Sequence, residues 1–219
     1  EYCFSCGKIK RGRVSDEQPI VFSGSRKDSE YKGIQYNDVL MQYEGIEGDI
    51  HKAPKEVKKW LIERNMNLDK LAELGIKYSR ETDELLIPDI NHDIPRYIQI
   101  KSFNVFAPKY KTYGKVFPYN LKHRQSNKCV LVEDIFSAIR VSKFTNASAL
   151  LGTSLPTKDL IMLLNKSQHI YIWMDPDIPG WKAANKIAQQ LGWVDCSIVE
   201  SEKDPKWHTD KEIKRYLII

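Results

Sequence analysis

Two carboxylates spaced i, i+2, Asp175 and Asp177, follow the apolar run Ile170-Tyr171-Ile172-Trp173-Met174. A third, Glu133, follows Val130-Leu131-Val132. Acids gathered where strands run out repel one another unless a cation sits among them, and hard carboxylate oxygens suit Mg²⁺ or Mn²⁺. In extended backbone the i, i+2 spacing points both aspartates the same way, and Pro176 keeps Asp175 out of helical conformation. Glu133 then completes a ligand set, or acts as a base with its pKa raised by its neighbours. The competing reading is capping, with Asp177 as an N-cap and Glu133 and Asp134 offsetting a helix dipole. Acids converging on neighbouring strand ends favour the metal, and a magnesium site points to phosphate chemistry.

The elements that must position these acids form a series. Strands are expected at 129–132, 147–151, 170–174 and 196–199, with helices at 135–144, 158–165, 180–191 (stopped by Gly192) and 210–217. Strict strand–helix alternation with short loops predicts a parallel sheet covered by helices, and ligands bind such a sheet at the carboxyl ends of its strands. Upstream the pattern is mixed. A short helix is expected near 36–43, a helix opening at Pro54 carries Val57, Trp60, Leu61 and Arg64 on one face, and another at 68–74 stops at Gly75. Leu85 to Ile87 reads as a strand ended by Pro88. The stretch 96–103 alternates Tyr97, Gln99 and Lys101 against Ile98, Ile100 and Ser102, so a half-exposed strand is expected. Residues 110–119 read as loop and short strand. The expected class is α/β with a parallel-sheet core and flanking helices, preceded by a small α+β subdomain.

The 219 residues carry a net charge of +5, but unevenly. Arg96 to Lys128 contains no Asp or Glu and holds eight basic residues, Arg96, Lys101, Lys109, Lys111, Lys115, Lys122, Arg124 and Lys128, so the remainder sums to −3. Tyr97, Phe103, Phe106, Tyr110, Tyr113, Phe117 and Tyr119 are interleaved with them. Positive charge contacts phosphates and aromatic rings stack on bases, so this segment suits nucleotides or single-stranded nucleic acid. About half of these rings are expected in the core. No apolar run approaches the ~20 residues that span a bilayer, and no signal peptide is visible, so a soluble cytoplasmic protein is expected. The four cysteines are too few and too irregular for a disulfide framework, and Cys129 and Cys196 read as buried thiols. Glu1 rather than Met opens the chain, which reads as a fragment or a processed form.

Val130-Leu131-Val132-Glu133 with Ser137-Ala138, then Leu151-Gly152-Thr153-Ser154-Leu155, then Met174-Asp175-Pro176-Asp177-Ile178-Pro179-Gly180 with Ala183-Ala184, resemble a Toprim domain over about 129–205. Within that superfamily the chain is similar to phage-type DNA primases and primase–helicases. The branch is chosen by Cys3-Phe4-Ser5-Cys6-Gly7, which looks like half of a zinc ribbon, by the basic aromatic segment, and by Lys203-Asp204-Pro205 after the last strand. The resemblance implies RNA primer synthesis on single-stranded DNA from ribonucleoside triphosphates, with a replicative helicase fused or separate, in the cytoplasm of a host if phage-encoded. It implies Mg²⁺ or Mn²⁺ held by Asp175, Asp177 and Asp204, with Glu133 at the metal or acting as base. Lys101 would lie near the triphosphate, with Lys109, Lys111 and Arg124 as further nucleotide or DNA contacts. Zn²⁺ would bind Cys3 and Cys6 only if a second Cys pair completed the site, because a Cys₄ site needs two. Asp134 departs from the family pattern, which has Gly there. The implied organisation is half a zinc ribbon at 1–13, a linker at 14–50, a basic subdomain at 51–128, and a Toprim domain with a C-terminal helix at 129–219. Two rivals keep the fold: a non-catalytic Toprim module supporting a helicase, and a Toprim nuclease.

Overall fold

The computed structural model describes residues 36–46, 48–116, 118–123, 125–152, 167–192 and 195–218. Cys3, Cys6, Arg124 and the helix expected at 158–165 lie outside them. Two sheets organise the described chain. The first is antiparallel, ordered β1 (Lys77–Ser79), β2 (Glu84–Pro88), β3 (Tyr97–Ser102) and β4 (Tyr110–Gly114). The second has the order β5-β7-β6-β8-β9, from β5 (Tyr119–Leu121), β6 (Lys128–Val132), β7 (Asn146–Ala149), β8 (His169–Trp173) and β9 (Cys196–Ile198). Within it β7, β6, β8 and β9 are parallel, and only β5 runs antiparallel, on β7. Three residues behind Pro118 carry no periodic signal, so an edge strand from the basic segment joins this sheet unannounced.

Burial on both faces explains the apolar runs of the second sheet, as expected for parallel strands clothed by helices. Val130, Val132, Tyr171 and Trp173 face α4 (Ile135–Val141) and α6 (Asp210–Tyr216). Cys129, Leu131, Ile170 and Ile172 face α5 (Ile178–Leu191) through Ala183, Ala184, Ile187 and Leu191. Each Val, Leu or Ile among them contributes about 1.5–3 kcal/mol by leaving water. Burial pushes the Cys129 thiol up to about 12, whereas Cys196 is only half-buried. Helix α4 ends three residues earlier than its pattern suggests. Thr145 turns the chain back into the sheet by donating its hydroxyl to the Lys128 carbonyl at 2.9 Å.

The first sheet corrects one expectation. Strand β3 is not half-exposed, because Tyr97, Ile98, Ile100, Lys101 and Ser102 are all buried. Alternation assigns residues to two faces but cannot say what covers each. Here Ile98 and Ile100 meet Val39 of α1 (Tyr36–Gly45), while Tyr97 joins the core shared with α2 (Lys55–Glu63) and α3 (Leu68–Glu73). Lys101 lies on that second face and is 5% exposed. Asn67 caps α3 by accepting from the Lys70 N–H at 2.9 Å, and Gly75 adopts φ +71° just beyond it, a left-handed turn that suits glycine.

Candidate metal centre

Strand β6 runs out at Val132, β8 at Trp173 and β9 at Ile198, so their carboxyl ends share one edge. Asp134 leaves the β6 end and opens α4. Its Oδ1 accepts the N–H groups of Phe136 (2.9 Å) and Ser137 (3.2 Å), and its Oδ2 accepts the Ser137 hydroxyl at 2.6 Å. Asp175 leaves the β8 end. Asp204 precedes a 3-10 turn, Pro205–Trp207, that follows β9. One oxygen each from Asp134, Asp175 and Asp204 lies within 4.8 Å of the others. Among the described residues this is the group spaced to hold a metal ion. The donors are three half-buried carboxylates with no sulfur or imidazole in the set, so the residues fit Mg²⁺ or Mn²⁺.

Lys206 supplies the local countercharge. Its ammonium donates to Asp134 Oδ2 at 2.8 Å and to Asp204 Oδ2 at 2.5 Å. Burial alone would lower its pKa, but pairing with Asp134 and then Asp204 outweighs that and raises it. The acids around it move the other way. Burial, then the charges of Asp175 and Asp177, lifts Glu133 to about 7. Burial, then Asp204, lifts Asp175 to about 6, with Lys206 opposing. Both carboxyls therefore resist ionising as the protein stands, which a bound divalent cation would reverse.

Expected and observed residues overlap only in part. Asp175 and Asp204 come together. Asp177 does not join them: its N–H donates to the Asp175 carbonyl at 2.8 Å, closing a tight turn, so the extended i, i+2 geometry is lost. Its Oδ1 instead caps α5, accepting from Gly180 N–H at 2.7 Å. Glu133 stands outside the three-oxygen group but close enough to feel Asp175, Asp177, Asp134 and Asp204. Asp134, set apart in the sequence as the departure from the family pattern, is inside the group.

A cationic and aromatic wall stands beside the acids. The Arg64 guanidinium lies 3.8 Å from the Trp60 ring centroid and 4.4 Å from that of Trp207. Burial lowers its pKa, and the charges of Asp134 and Asp204 reach it. Tyr110 feels Asp134, Lys206, Arg64 and Asp175. The Lys101 ammonium sits 4.2 Å from the Phe103 ring centroid and 5.2 Å from that of Trp60. Burial, then Lys109 and Arg64, pushes it down to about 8. Lys109 is exposed beside Tyr110, while Lys111 lies 3.8 Å from Glu84 across the first sheet. Arg64 had a signal in the sequence, a charged residue in register with an apolar helix face. Lys206 had only its place two residues after Asp204.

Residues 127–200 match the family model of the Toprim domain, so the edge carrying these acids is that of a Toprim fold. The described chain as a whole has the fold of primase catalytic cores. It resembles the Aquifex aeolicus primase zinc-binding and RNA polymerase domains, with TM-score 0.63 and 19% identity, over 86% of this chain and 62% of that one. It resembles the DnaG primase catalytic domain bound to single-stranded DNA, with TM-score 0.62 and 14% identity, over 84% of this chain and 75% of that one. It also resembles the primase fragment of the bacteriophage T7 primase-helicase, with TM-score 0.55 and 17% identity, over 72% of each chain. The chain thus spans less than two thirds of the Aquifex structure. No curated protein matches it at the level of sequence.

Proposed function

We propose that the chain is the catalytic core of a DNA primase, joining ribonucleotides on a single-stranded DNA template. The observation that carries this reading is the meeting of a three-aspartate group with a cationic, aromatic wall at one Toprim edge. A nuclease needs the acids but no dedicated surface for triphosphate and unstacked bases. A non-catalytic module needs neither.

In the proposed reaction the 3′ hydroxyl oxygen of one nucleotide attacks the α-phosphorus of the next. The P–O bond to the β-phosphate breaks and pyrophosphate leaves. Glu133 lies beside the acids as the group to take the hydroxyl proton, and a bound divalent cation would favour its ionised, proton-accepting form. Asp134, Asp175 and Asp204 would hold Mg²⁺ or Mn²⁺, which when bound stabilises charge on the phosphate oxygens. Arg64 would face the triphosphate, with the buried Lys101 adding positive charge behind it, and Tyr110 and Trp207 offer planes for bases. Lys109 extends the contact to the template, as would Arg124. The same reading makes a replicative helicase the partner, fused or separate, and Cys3 and Cys6 half of a zinc site that a second Cys pair would complete. The cytoplasm, of a host if the protein is phage-encoded, is the proposed place of action. Among the described residues no helix is long and apolar enough to cross a membrane.

The test is dinucleotide synthesis from ribonucleoside triphosphates on single-stranded DNA, with Mg²⁺ or Mn²⁺. Glu133→Gln, Asp175→Asn and Asp204→Asn should each lower the rate ~10²-fold or more, the scale of losing one electrostatic stabiliser. Normal synthesis by these variants would remove the site assignment. Cutting of DNA without added nucleotides would favour the nuclease, and neither reaction the non-catalytic module.

A further inference from the structure

We propose that Lys206 is a built-in second cation of the acidic centre, so that the centre takes one divalent ion rather than two. The inference rests on the metal reading of Asp134, Asp175 and Asp204 given above.

Position comes first. Lys206 and Asp204 belong to one short turn. Pro205 between them is buried, and the Trp207 N–H donates to the Asp204 carbonyl at 3.0 Å. The Asn65 amide donates to the Lys206 carbonyl at 3.0 Å, tying the turn to the α2–α3 segment. The side chain is only 14% exposed. An ammonium on so short and anchored a tether is presented to the acids rather than swinging free in solvent.

The contacts come second. Asp134 cannot turn its carboxylate elsewhere without cost, because Oδ1 serves two backbone N–H groups of α4 and Oδ2 takes the Ser137 hydroxyl. Its Oδ2 is therefore committed to the side where Lys206 binds. Asp204 Oδ2 is held by the same ammonium. Asp175 takes no hydrogen bond or ion pair to its side chain among the described residues, which leaves it as the open ligand. The centre is thus asymmetric. The Asp134–Asp204 side is bridged by a fixed positive charge, and the Asp175 side is available to a mobile one.

A second divalent ion would have to expel Lys206 from the two carboxylates that it already holds. In a two-ion centre the second ion helps stabilise the oxygens of an in-line displacement. Here the ammonium holds a permanent charge between Asp134 and Asp204 instead.

The experiment is a Mn²⁺ titration of the 219-residue protein followed by electron paramagnetic resonance, which counts bound ions and detects spin-coupled pairs without any catalytic assay. The expected result is one Mn²⁺ per chain in the wild type and in Lys206→Arg. Lys206→Met should bind two, coupled at the ~3.5–4 Å of a two-ion centre. Lys206→Gln, which keeps a hydrogen-bond donor without the charge, should also bind two and serves if the Met variant does not fold. Two ions in the wild type, or one ion with unchanged affinity in both neutral variants, would overturn the role of Lys206 and leave the metal reading intact. No Mn²⁺ on the wild type would remove the metal reading and the inference with it.

Discussion

Asp134 does two jobs with one carboxylate. It caps α4 with one oxygen and faces Asp175, Asp204 and Lys206 with the other. Around it, Glu133 and Asp175 have pKa values raised to about 7 and about 6, by burial first and by like charge second. The folded protein therefore holds protons on these groups where the unfolded chain has released them. Between pH 4 and 7, roughly the ordinary carboxylate value and the raised one, the native state binds more protons, so stability falls as pH rises. This sign is opposite to that of a salt-bridged carboxylate. In chelator, the melting temperature should drop from pH 5 to pH 7.5, and Glu133→Gln with Asp175→Asn should flatten that slope. Mn²⁺ should raise the melting temperature more at pH 7.5 than at pH 5. A metal-free slope equal in wild type and double variant would discard the link. The acids were legible as a group in the sequence, but not their division of labour. That Asp177 caps α5 while Asp175 faces the cluster goes with a single turn hydrogen bond, Asp177 N–H to the Asp175 carbonyl, that spacing does not encode.

Elements position these side chains through close backbone contacts. Helix α5 starts so near the end of β8 that a Cβ on Gly180 would lie 2.1 Å from the Asp175 carbonyl oxygen. Backbone cannot rotate away from such a contact as a side chain can. In an open helix, Gly to Ala gains up to ~1 kcal/mol from propensity. Here Gly180→Ala should instead cost about 1–3 kcal/mol, as overpacking does, and should weaken Mn²⁺ binding by displacing Asp175. Chemical denaturation and a Mn²⁺ titration check both, and a more stable variant with unchanged Mn²⁺ affinity would refute the account. Strands β6 and β8 and helix α5 were readable because continuous apolar runs ended by acids, prolines and glycines leave few alternatives. Strand β3 departs from the half-exposed expectation for a physical reason: its period of two is real, but the α2–α3 layer covers the Tyr97 and Lys101 face that alternation leaves to solvent, while α1 covers Ile98 and Ile100.

At the scale of the whole molecule, most of the wall comes from α2 and the first sheet while the acids leave the second sheet, and the two must be held in register. One apolar cluster does this, running from Val57, Leu61 and Leu85 through Phe136 to Val130, Trp173 and Ile213. Trp60 is its hinge-pin on the wall side. It packs edge-on against Phe103, just past β3, and against Phe136 of α4, with ring centroids 5.4 and 5.3 Å apart, and its face carries the Arg64 guanidinium. The Asn65 amide adds a polar tie, donating to the Lys206 carbonyl at 3.0 Å. Removing the Trp60 ring should therefore act at two places. Trp60→Ala should destabilise by about 3 kcal/mol, the lower end for a large aromatic because Trp60 is only half-buried. It should also weaken triphosphate binding, since Arg64 loses a stacking plane, while leaving the number of bound Mn²⁺ ions unchanged because Trp60 is not one of the three ligand residues. Trp60→Phe should recover most of the stability and part of the nucleotide affinity. Denaturant unfolding, nucleotide binding in chelator and the Mn²⁺ count separate these effects. Loss of stability and of Mn²⁺ binding together, with nucleotide affinity intact, would mean that Trp60 holds the acids rather than the wall, and would reassign the contact between the two sheets.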